Sequence, residues 1–276
     1  MTDSDRLIKL LQNKAKLVAM LAPSFPIMYD PKTIVSQLKN MGFSKVVEVS
    51  VGAKETNRQA VEILKNNPHT RFITSPCASF VRYMRVKHPD MMHYLAMEID
   101  SPMSATAKIV KAKWPDHQPV FIGPCLVKKL EASEDHPDLN ILVLTYKELR
   151  EVFQKPTTNH PSASLRTSPS FITDNHFDLS ESSTRIYPID GGLTDSSGAR
   201  NLLSPDEIRV VSGYKNCESS IKEFEQDSTK GRSPSGRKKI RLLDILFCDN
   251  GCINGPGIAS NLPIEERKHK IIDYSK

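Results

Sequence analysis

Short, almost entirely apolar segments alternate with helical segments along most of this 276-residue chain. The strand-like runs are "KLVAML", "KVVEV", "RFIT", "PVFIG", "NILVLT" and "LLDILF". Segments with apolar residues at helical spacing lie between them, such as "TIVSQLKNM" before a glycine stop at Gly42. A second predicted helix runs from about Lys54 to Asn66, and a third is "SPMSATAKIVKAK", with Ser101 as the N-cap and Pro102 at the first helical position. Strands that are apolar on both sides fit parallel sheets whose faces are covered by helices. We therefore predict an α/β fold, and the length allows either one large domain or two lobes.

The composition is that of a globular protein, with 38% hydrophobic and 25% charged residues. No apolar stretch approaches the roughly 20 residues of a membrane span. The first fifteen residues are polar and charged, which does not fit a signal peptide. We therefore expect a cytoplasmic protein without a membrane partner. In that compartment the five cysteines are expected to be thiols or metal ligands rather than disulfides.

The net charge of +6 includes a strongly basic segment, "KGRSPSGRKK", at residues 230–239. No aromatic residues accompany it, so stacking on nucleic-acid bases is not expected, whereas an acidic partner protein could dock there. This segment falls within the second of two predicted flexible loops, at about 156–172 and 226–239. Both are rich in polar residues and turn formers.

Three of the apolar runs end on cysteine, in "TSPC", "GPC" and "FCDNGC". The carboxyl ends of parallel strands meet at one edge of a sheet, where α/β folds bind their ligands. Cys77, Cys125, Cys248 and Cys252 are therefore expected to converge in one cleft. Cys217 follows no apolar run, and we interpret it as a structural cysteine.

Four converging thiolates suit either zinc or an iron–sulfur cluster. The four cysteines are 48, 123 and 4 positions apart, without the short Cys-x-x-Cys pairs of structural zinc sites. This scattered spacing favours a cluster held between sheets. A structural zinc site, or buried cysteines without a metal, stay open as alternatives.

The residues around these cysteines add two expectations. Glycines in "CDNGCINGPG" allow backbone N–H groups to approach the sulfurs closely. Lys128 follows Cys125 by three residues, where a cation would stabilise an anionic cluster. The alternative for Lys128 is an exposed position on the following helix.

Four motifs in this order resemble the large-subunit domain of the iron-only ([FeFe]) hydrogenases. "TSPCASFVRY", "GPCLVKKLE" and "FCDNGCINGPG" resemble the three cysteine motifs of that family, and "YPIDGGLT" resembles its Gly-Gly segment. The resemblance extends from about Lys16 to Ile258. It implies two lobes of mainly parallel twisted sheet flanked by helices, with the metal site in the cleft between them. Residues 1–276 would then form a single hydrogenase-like domain.

Carried over to this sequence, the resemblance implies a [4Fe–4S] cluster bound by Cys77, Cys125, Cys248 and Cys252. Cys252 would bridge to a two-iron subsite with carbonyl and cyanide ligands, and the two parts together form the H-cluster. Lys128 corresponds to the lysine that contacts the subsite. Ser101 corresponds to the serine of the proton path, and Glu131 to the glutamate of the second motif.

Several positions depart from the pattern of active hydrogenases. Pro76 replaces the cysteine that relays protons, and proline cannot carry a proton. The two glutamates of the proton path fall on Ala60 and Ile63, although a shifted register would bring in Glu62. Gly123 replaces the usual methionine. The last motif has "NGPG" in place of a glycine run followed by glutamine.

These departures resemble the sensory branch of the family. We therefore predict an iron–sulfur, redox-sensing or hydrogen-sensing regulatory domain with low turnover. The first alternative is an active hydrogenase that receives electrons from ferredoxin. The second is an iron–sulfur assembly scaffold, against which stands the absence of any cysteine before Cys77. The expected partners are a ferredoxin-like donor or signalling protein and the H-cluster maturation proteins.

Overall fold

The computed structural model describes residues 1–155, 172–229 and 239–276. Most of both predicted flexible loops lies outside these residues. Seven strands form within the described part of the chain: β1 Leu17–Leu21, β2 Lys45–Glu48, β3 Phe72–Ile73, β4 Gln118–Gly123, β5 Leu142–Thr145, β6 Ile208–Ser212 and β7 Leu242–Leu246.

The strands form two separate parallel sheets. The larger has the order β2-β1-β4-β5, and the smaller has the order β3-β7-β6. Every strand pair in both sheets is parallel, as in Ala19 beside Val120 and Val211 beside Ile245. The predicted α/β fold with parallel sheets flanked by helices is therefore confirmed.

The helices connect and cover these strands. Their bounds are α1 Asp3–Gln12, α2 Ile34–Met41, α3 Ser50–Asn66, α4 Ala78–Lys87, α5 Pro102–Lys113, α6 Lys128–Leu130, α7 Tyr146–Gln154, α8 Gly192–Ser197, α9 Tyr214–Thr229 and α10 Ile264–Ser275. A short π-helical turn, Glu131–Asp135, follows α6 directly.

Local sequence signals fix several helix ends. Helix α2 stops at Gly42, whose φ of 118° favours glycine. Ser101 caps the start of α5 by accepting a hydrogen bond from the Ser104 N–H, and Pro102 occupies the first helical position. Both features match the sequence predictions. Helix α3 starts at Ser50, earlier than the predicted Lys54, and α9 continues to Thr229, into the segment predicted as a loop.

Each sheet has its own apolar core. The core of the larger sheet includes the fully buried Leu17, Phe25 and Tyr146. The core of the smaller sheet includes Phe80, Phe224 and Leu243. Two lobes thus exist, and the residues that follow the carboxyl ends of their strands line a shared cavity.

Candidate metal centre

The four predicted ligands follow the carboxyl ends of three parallel strands. Cys77 is the residue just before α4 and follows β3, whereas Cys125 follows β4. Cys248 and Cys252 follow β7, and Cys252 lies in a 3₁₀ turn at Gly251–Asn254. The smaller sheet therefore supplies three of the cysteines and the larger sheet supplies one.

The pKa values of Cys77, Cys248 and Cys252 indicate that the four thiols lie near one another. Burial raises the pKa of Cys77, and the neighbouring Cys125 sulfur raises it further. Burial raises the pKa of Cys248 to about 12, with Cys77 and Cys125 adding to the effect. Burial also raises the pKa of Cys252 well above its ordinary value, and the three other thiols raise it further. Each of the four sulfurs thus interacts with the other three.

Hydrogen bonds orient two of these sulfurs. The Phe247 backbone N–H donates to the Cys77 Sγ over 3.4 Å, and the Ser79 Oγ lies 3.7 Å from the Cys125 Sγ. Amide donors of this kind stabilise a thiolate ligand. Cys217 has a different environment, because it is fully buried in the core of the smaller sheet and donates to the Leu246 carbonyl. This placement agrees with its interpretation as a structural cysteine.

The glycines of the last motif bring two cysteine loops together. The Gly257 N–H donates to the Pro124 carbonyl over 2.7 Å. A Cβ atom at Gly255 would lie 2.7 Å from the same carbonyl oxygen, so no larger residue fits. We expected glycine N–H groups to approach the sulfurs. Cys77 instead accepts hydrogen bonds from the backbone N–H groups of Phe247 and Phe80. Gly257 holds the segment after Cys252 against the residue before Cys125.

Lys128, Glu131 and Ser101 form one buried group. The Lys128 Nζ donates to the Glu131 Oε2 over 2.5 Å and to the Pro76 carbonyl over 3.1 Å. The Ser101 Oγ donates to the other carboxylate oxygen of Glu131. Lys128 is only 8% exposed. The alternative of an exposed lysine is therefore wrong. Burial raises the pKa of Cys77 and Cys252, and the charge of Lys128 opposes part of that rise.

A small apolar cavity of about 80 Å³ lies beside these groups. Pro76, Cys125, Cys252 and Lys128 are part of its wall. The other lining residues come from strand ends, from the start of α5 and from the segment before α8: Ala22, Pro23, Ser24, Val49, Pro102, Met103, Phe121, Pro124, Tyr187, Pro188 and Leu246. A water molecule needs about 10–15 Å³ by this measure, so the cavity has room for a small ligand.

Phe121 explains one departure from the family pattern. A Cβ atom at Gly123 would lie 2.5 Å from the Phe121 ring, so this ring excludes the usual methionine. Phe121 and the segment Ala22–Ser24 after β1 line the cavity without having been predicted from the sequence. The position of Ala22–Ser24 at the end of a predicted strand was the signal that could have found it.

Glu62 does not reach this site. It is exposed and forms an ion pair with Arg58 over 2.8 Å on the outer side of α3. Ala60 is buried in an apolar cluster. The described residues therefore offer no carboxylate from this part of α3 to the cavity.

The donor set fits a cluster better than a single ion. Among the described residues, no three His, Cys, Asp or Glu side chains lie close enough together to bind one metal ion. Zinc–sulfur bonds of about 2.3 Å would draw tetrahedral sulfurs to about 3.8 Å from each other. A four-iron cluster keeps its thiolate ligands farther apart, and it accepts four of them, with amide donors and a cation nearby.

Two parallel sheets with a cysteine-lined cavity between them define a hydrogenase-like α/β domain. The profile described as "Iron only hydrogenase large subunit, C-terminal domain" matches residues 15–256. The chain belongs to this family. Within the described ranges, no helix has the length and apolar character needed to cross a membrane.

Curated relatives fall into two functional groups. The chain is 24% identical over 262 residues to iron hydrogenase 1 of Clostridium pasteurianum, covering 81% of this chain and 45% of that protein. It is 22% identical to the cytosolic Fe-S cluster assembly factor NAR1 of Eremothecium gossypii, covering 76% and 56%. It is 24% identical to the probable assembly factor oxy-4 of Caenorhabditis elegans, covering 87% and 60%. The chain spans about half the length of these relatives.

Solved structures support the fold. An [FeFe]-hydrogenase from Chlamydomonas reinhardtii aligns with a TM-score of 0.68 at 14% identity, covering all of this chain and 89% of that one. The apo form of the enzyme from the same organism gives a TM-score of 0.67 at 13% identity. At these identities the likeness concerns the fold alone.

Proposed function

We propose that this protein binds a [4Fe–4S] cluster through Cys77, Cys125, Cys248 and Cys252 and acts as a redox-sensing or hydrogen-sensing regulatory domain. The observation that carries the proposal is the mutual proximity of four partly buried thiols at strand ends. A cluster in this position would supply one-electron chemistry. The chain supplies the thiolates, the Phe247 amide donor and the Lys128 cation.

The wall beside Cys252 argues for low turnover of hydrogen. Pro76 has no titratable group, and the Lys128 ammonium is bound to the Glu131 carboxylate and the Pro76 carbonyl. General acid catalysis by one positioned group contributes roughly 10²–10⁴-fold to a rate. Loss of the relay at position 76 should reduce hydrogen evolution by about that factor.

The cavity is the place for a two-iron subsite with carbonyl and cyanide ligands. Cys252 and Lys128 both border it, and its remaining wall is mostly apolar. Maturation proteins would have to supply the subsite, and a ferredoxin-like donor or signalling protein would exchange electrons with the cluster. We place the protein in the cytoplasm, as the names of the cytosolic relatives suggest.

A role in iron–sulfur cluster assembly is the second candidate. The observation that favours it is the similarity to assembly factors from several organisms, at identities close to that of the hydrogenase relative. The comparisons give the assembly role more weight than the sequence did. The active hydrogenase is retained as the further alternative because of iron hydrogenase 1.

Anaerobic reconstitution tests the proposal. Wild-type protein should become brown and hold about four irons per chain. Replacement of Cys125 by Ser should remove most of the iron, whereas the matched variant Cys217→Ser should retain it. A colourless protein, or one that binds zinc instead, would contradict the proposal.

Maturation with the two-iron precursor separates the functional classes. Infrared carbonyl and cyanide bands would identify a complete H-cluster. Slow hydrogen evolution that rises in Pro76→Cys supports the regulatory role, and a rate equal to that of standard hydrogenases supports the active enzyme. Cluster binding without infrared bands, together with transfer of iron–sulfur units to an apo-acceptor protein, would favour the assembly role.

A further inference from the structure

Cys217 makes one hydrogen bond that its packing in the core does not require. Its side chain is fully buried beside the smaller sheet, and its thiol donates to the Leu246 carbonyl oxygen over 3.5 Å. Burial raises the pKa of Cys217 to about 12. The sulfur therefore keeps its proton at neutral pH and remains a hydrogen-bond donor.

The acceptor of this bond is part of the peptide group that also contacts Cys77. Leu246 and Phe247 are consecutive, so the Leu246 C=O and the Phe247 N–H belong to one peptide group. The Phe247 N–H donates to the Cys77 Sγ over 3.4 Å. Cys77 is also close enough to add to the rise in the pKa of Cys217. Since the C=O and N–H of a trans peptide point in opposite directions, the two cysteines lie on opposite sides of this group and are linked through it.

A second donor acts on the same carbonyl. The Gly213 N–H donates to the Leu246 oxygen over 3.1 Å, and the Gly213 carbonyl in turn accepts from the Cys217 N–H over 2.9 Å. The start of α9 thus directs an amide hydrogen and a thiol hydrogen at one oxygen atom. Hydrogen bonds in a chain polarise one another and strengthen each other by about 10–30%. Donation to the Leu246 carbonyl therefore makes the Phe247 N–H a better donor to Cys77.

We propose that Cys217 tunes the reduction potential of the cluster through this peptide group. The inference rests on the proposed function, because it assigns a role to a thiol beside the same four ligands. A reduced cluster carries one more negative charge than the oxidised cluster, and a stronger N–H donor at a ligand sulfur stabilises that charge. The Cys217 thiol should therefore raise the reduction potential. Cys217 acts on Cys77 only through the Phe247 amide and is not itself a ligand.

Redox titration of the reconstituted protein tests this role. Cys217→Ala removes the donor and should lower the ratio of reduced to oxidised cluster at a fixed potential by about two- to fourfold, a shift of about 18–36 mV for a one-electron couple. Cys217→Ser keeps a hydroxyl donor and should restore most of the wild-type ratio.

Ile221→Val is the matched control. Ile221 lies one turn further along α9 and is fully buried in the same apolar core. The change removes one methylene group from this core but leaves the Cys217 donor in place, so the variant should titrate like wild type. A potential that depends only on packing around α9 would shift in Ile221→Val as well.

The Phe247 amide supplies a readout that does not need iron. Its proton resonance in the iron-free protein reports the polarisation of the peptide group, and it should move upfield in Cys217→Ala but not in Ile221→Val. Equal potentials for Cys217→Ala and wild type, or an equal shift of potential in Ile221→Val, would overturn the inference. Failure of the proposed function would show differently, as a protein that binds no iron on reconstitution.

Discussion

The two lobes differ in how they are built and in what they contribute to the site. The larger sheet has four strands whose residues are almost all buried. The smaller sheet has three strands, of which β3 has two residues and β6 is only partly buried. Yet the smaller sheet provides three of the four candidate ligands. The larger lobe provides Cys125 and the buried group around Lys128.

The two lobes therefore contribute differently to the site. The larger, more fully buried lobe holds the Lys128 cation, and the smaller lobe supplies three of the four thiols. A cluster bound by Cys125 and the three other cysteines would link the lobes, so it should stabilise the smaller one most. A ligand that binds only the folded state increases the free energy of unfolding, and the increase is larger when the ligand binds more tightly.

Removal of the cluster should have the largest effect, and it should destabilise the smaller lobe more than the larger one. In iron-free protein the amides of β7 should exchange hydrogen at least about 100-fold faster than in the cluster-bound protein, because β7 leads into two of the ligands. The amides of β1 should change by less than about tenfold. Hydrogen exchange with mass spectrometry makes the comparison. Equal acceleration in β1 and β7 would contradict it.

Lys128→Met should destabilise the larger lobe strongly, because it leaves the buried Glu131 carboxylate without its cation. Removing one member of a buried ion pair costs about 3–5 kcal/mol. Urea unfolding of the iron-free protein measures the loss. Lys129→Met is the matched control, because the partly exposed Lys129 pairs with Asp3 and Glu148 at the surface, where such pairs contribute about 0–1 kcal/mol. Equal losses of unfolding free energy in Lys128→Met and Lys129→Met would contradict the buried ion pair between Lys128 and Glu131.

Leu17→Ala and Leu243→Ala compare the two cores directly. Both side chains are fully buried, so each truncation should cost about 2–5 kcal/mol in the free energy of unfolding. Leu243→Ala should in addition speed the reaction of the cysteines with a thiol reagent under native conditions, since two of them directly follow β7. Leu17→Ala should not do so. Denaturant unfolding measures the loss of stability in each variant, and thiol-labelling kinetics measures the exposure of the cysteines. Equally fast labelling of both variants would contradict the different contributions of the two lobes.

Glu181→Gln should have the smallest effect. Hydrogen bonds from Lys54 and Ser183 lower the pKa of Glu181 to about 2, from an ordinary value of 4.5. The carboxylate therefore stabilises the folded state above pH 4.5, and this contribution is lost as the pH falls through about 2. At neutral pH the variant should lose about 0–1 kcal/mol in the free energy of unfolding, and the difference from wild type should shrink as the pH falls towards about 2 and disappear below it. Thermal unfolding across this pH range measures it. A difference that grows towards pH 2 would have the wrong sign.

Elements with a clear pattern of apolar residues along the sequence were predictable. The apolar runs at β1, β4 and β7 stand out because both sides of these strands are buried. The strand β6, "IRVVS", did not stand out, since it is only partly buried and contains Arg209. Helices α9 and α10 were also missed, because their sequences are mostly polar and bury only a narrow face.

The sequence by itself determined the parallel α/β class, the cap of α5 at Ser101 and the position of four cysteines at strand ends. These features depend on local periodicity and on the chemistry of single residues. Only the tertiary structure decided that Lys128 is buried against Glu131, that Glu62 faces solvent and that Phe121 occupies the space of the missing methionine side chain. Each of these outcomes depends on contacts between segments far apart in the chain, which no local pattern encodes.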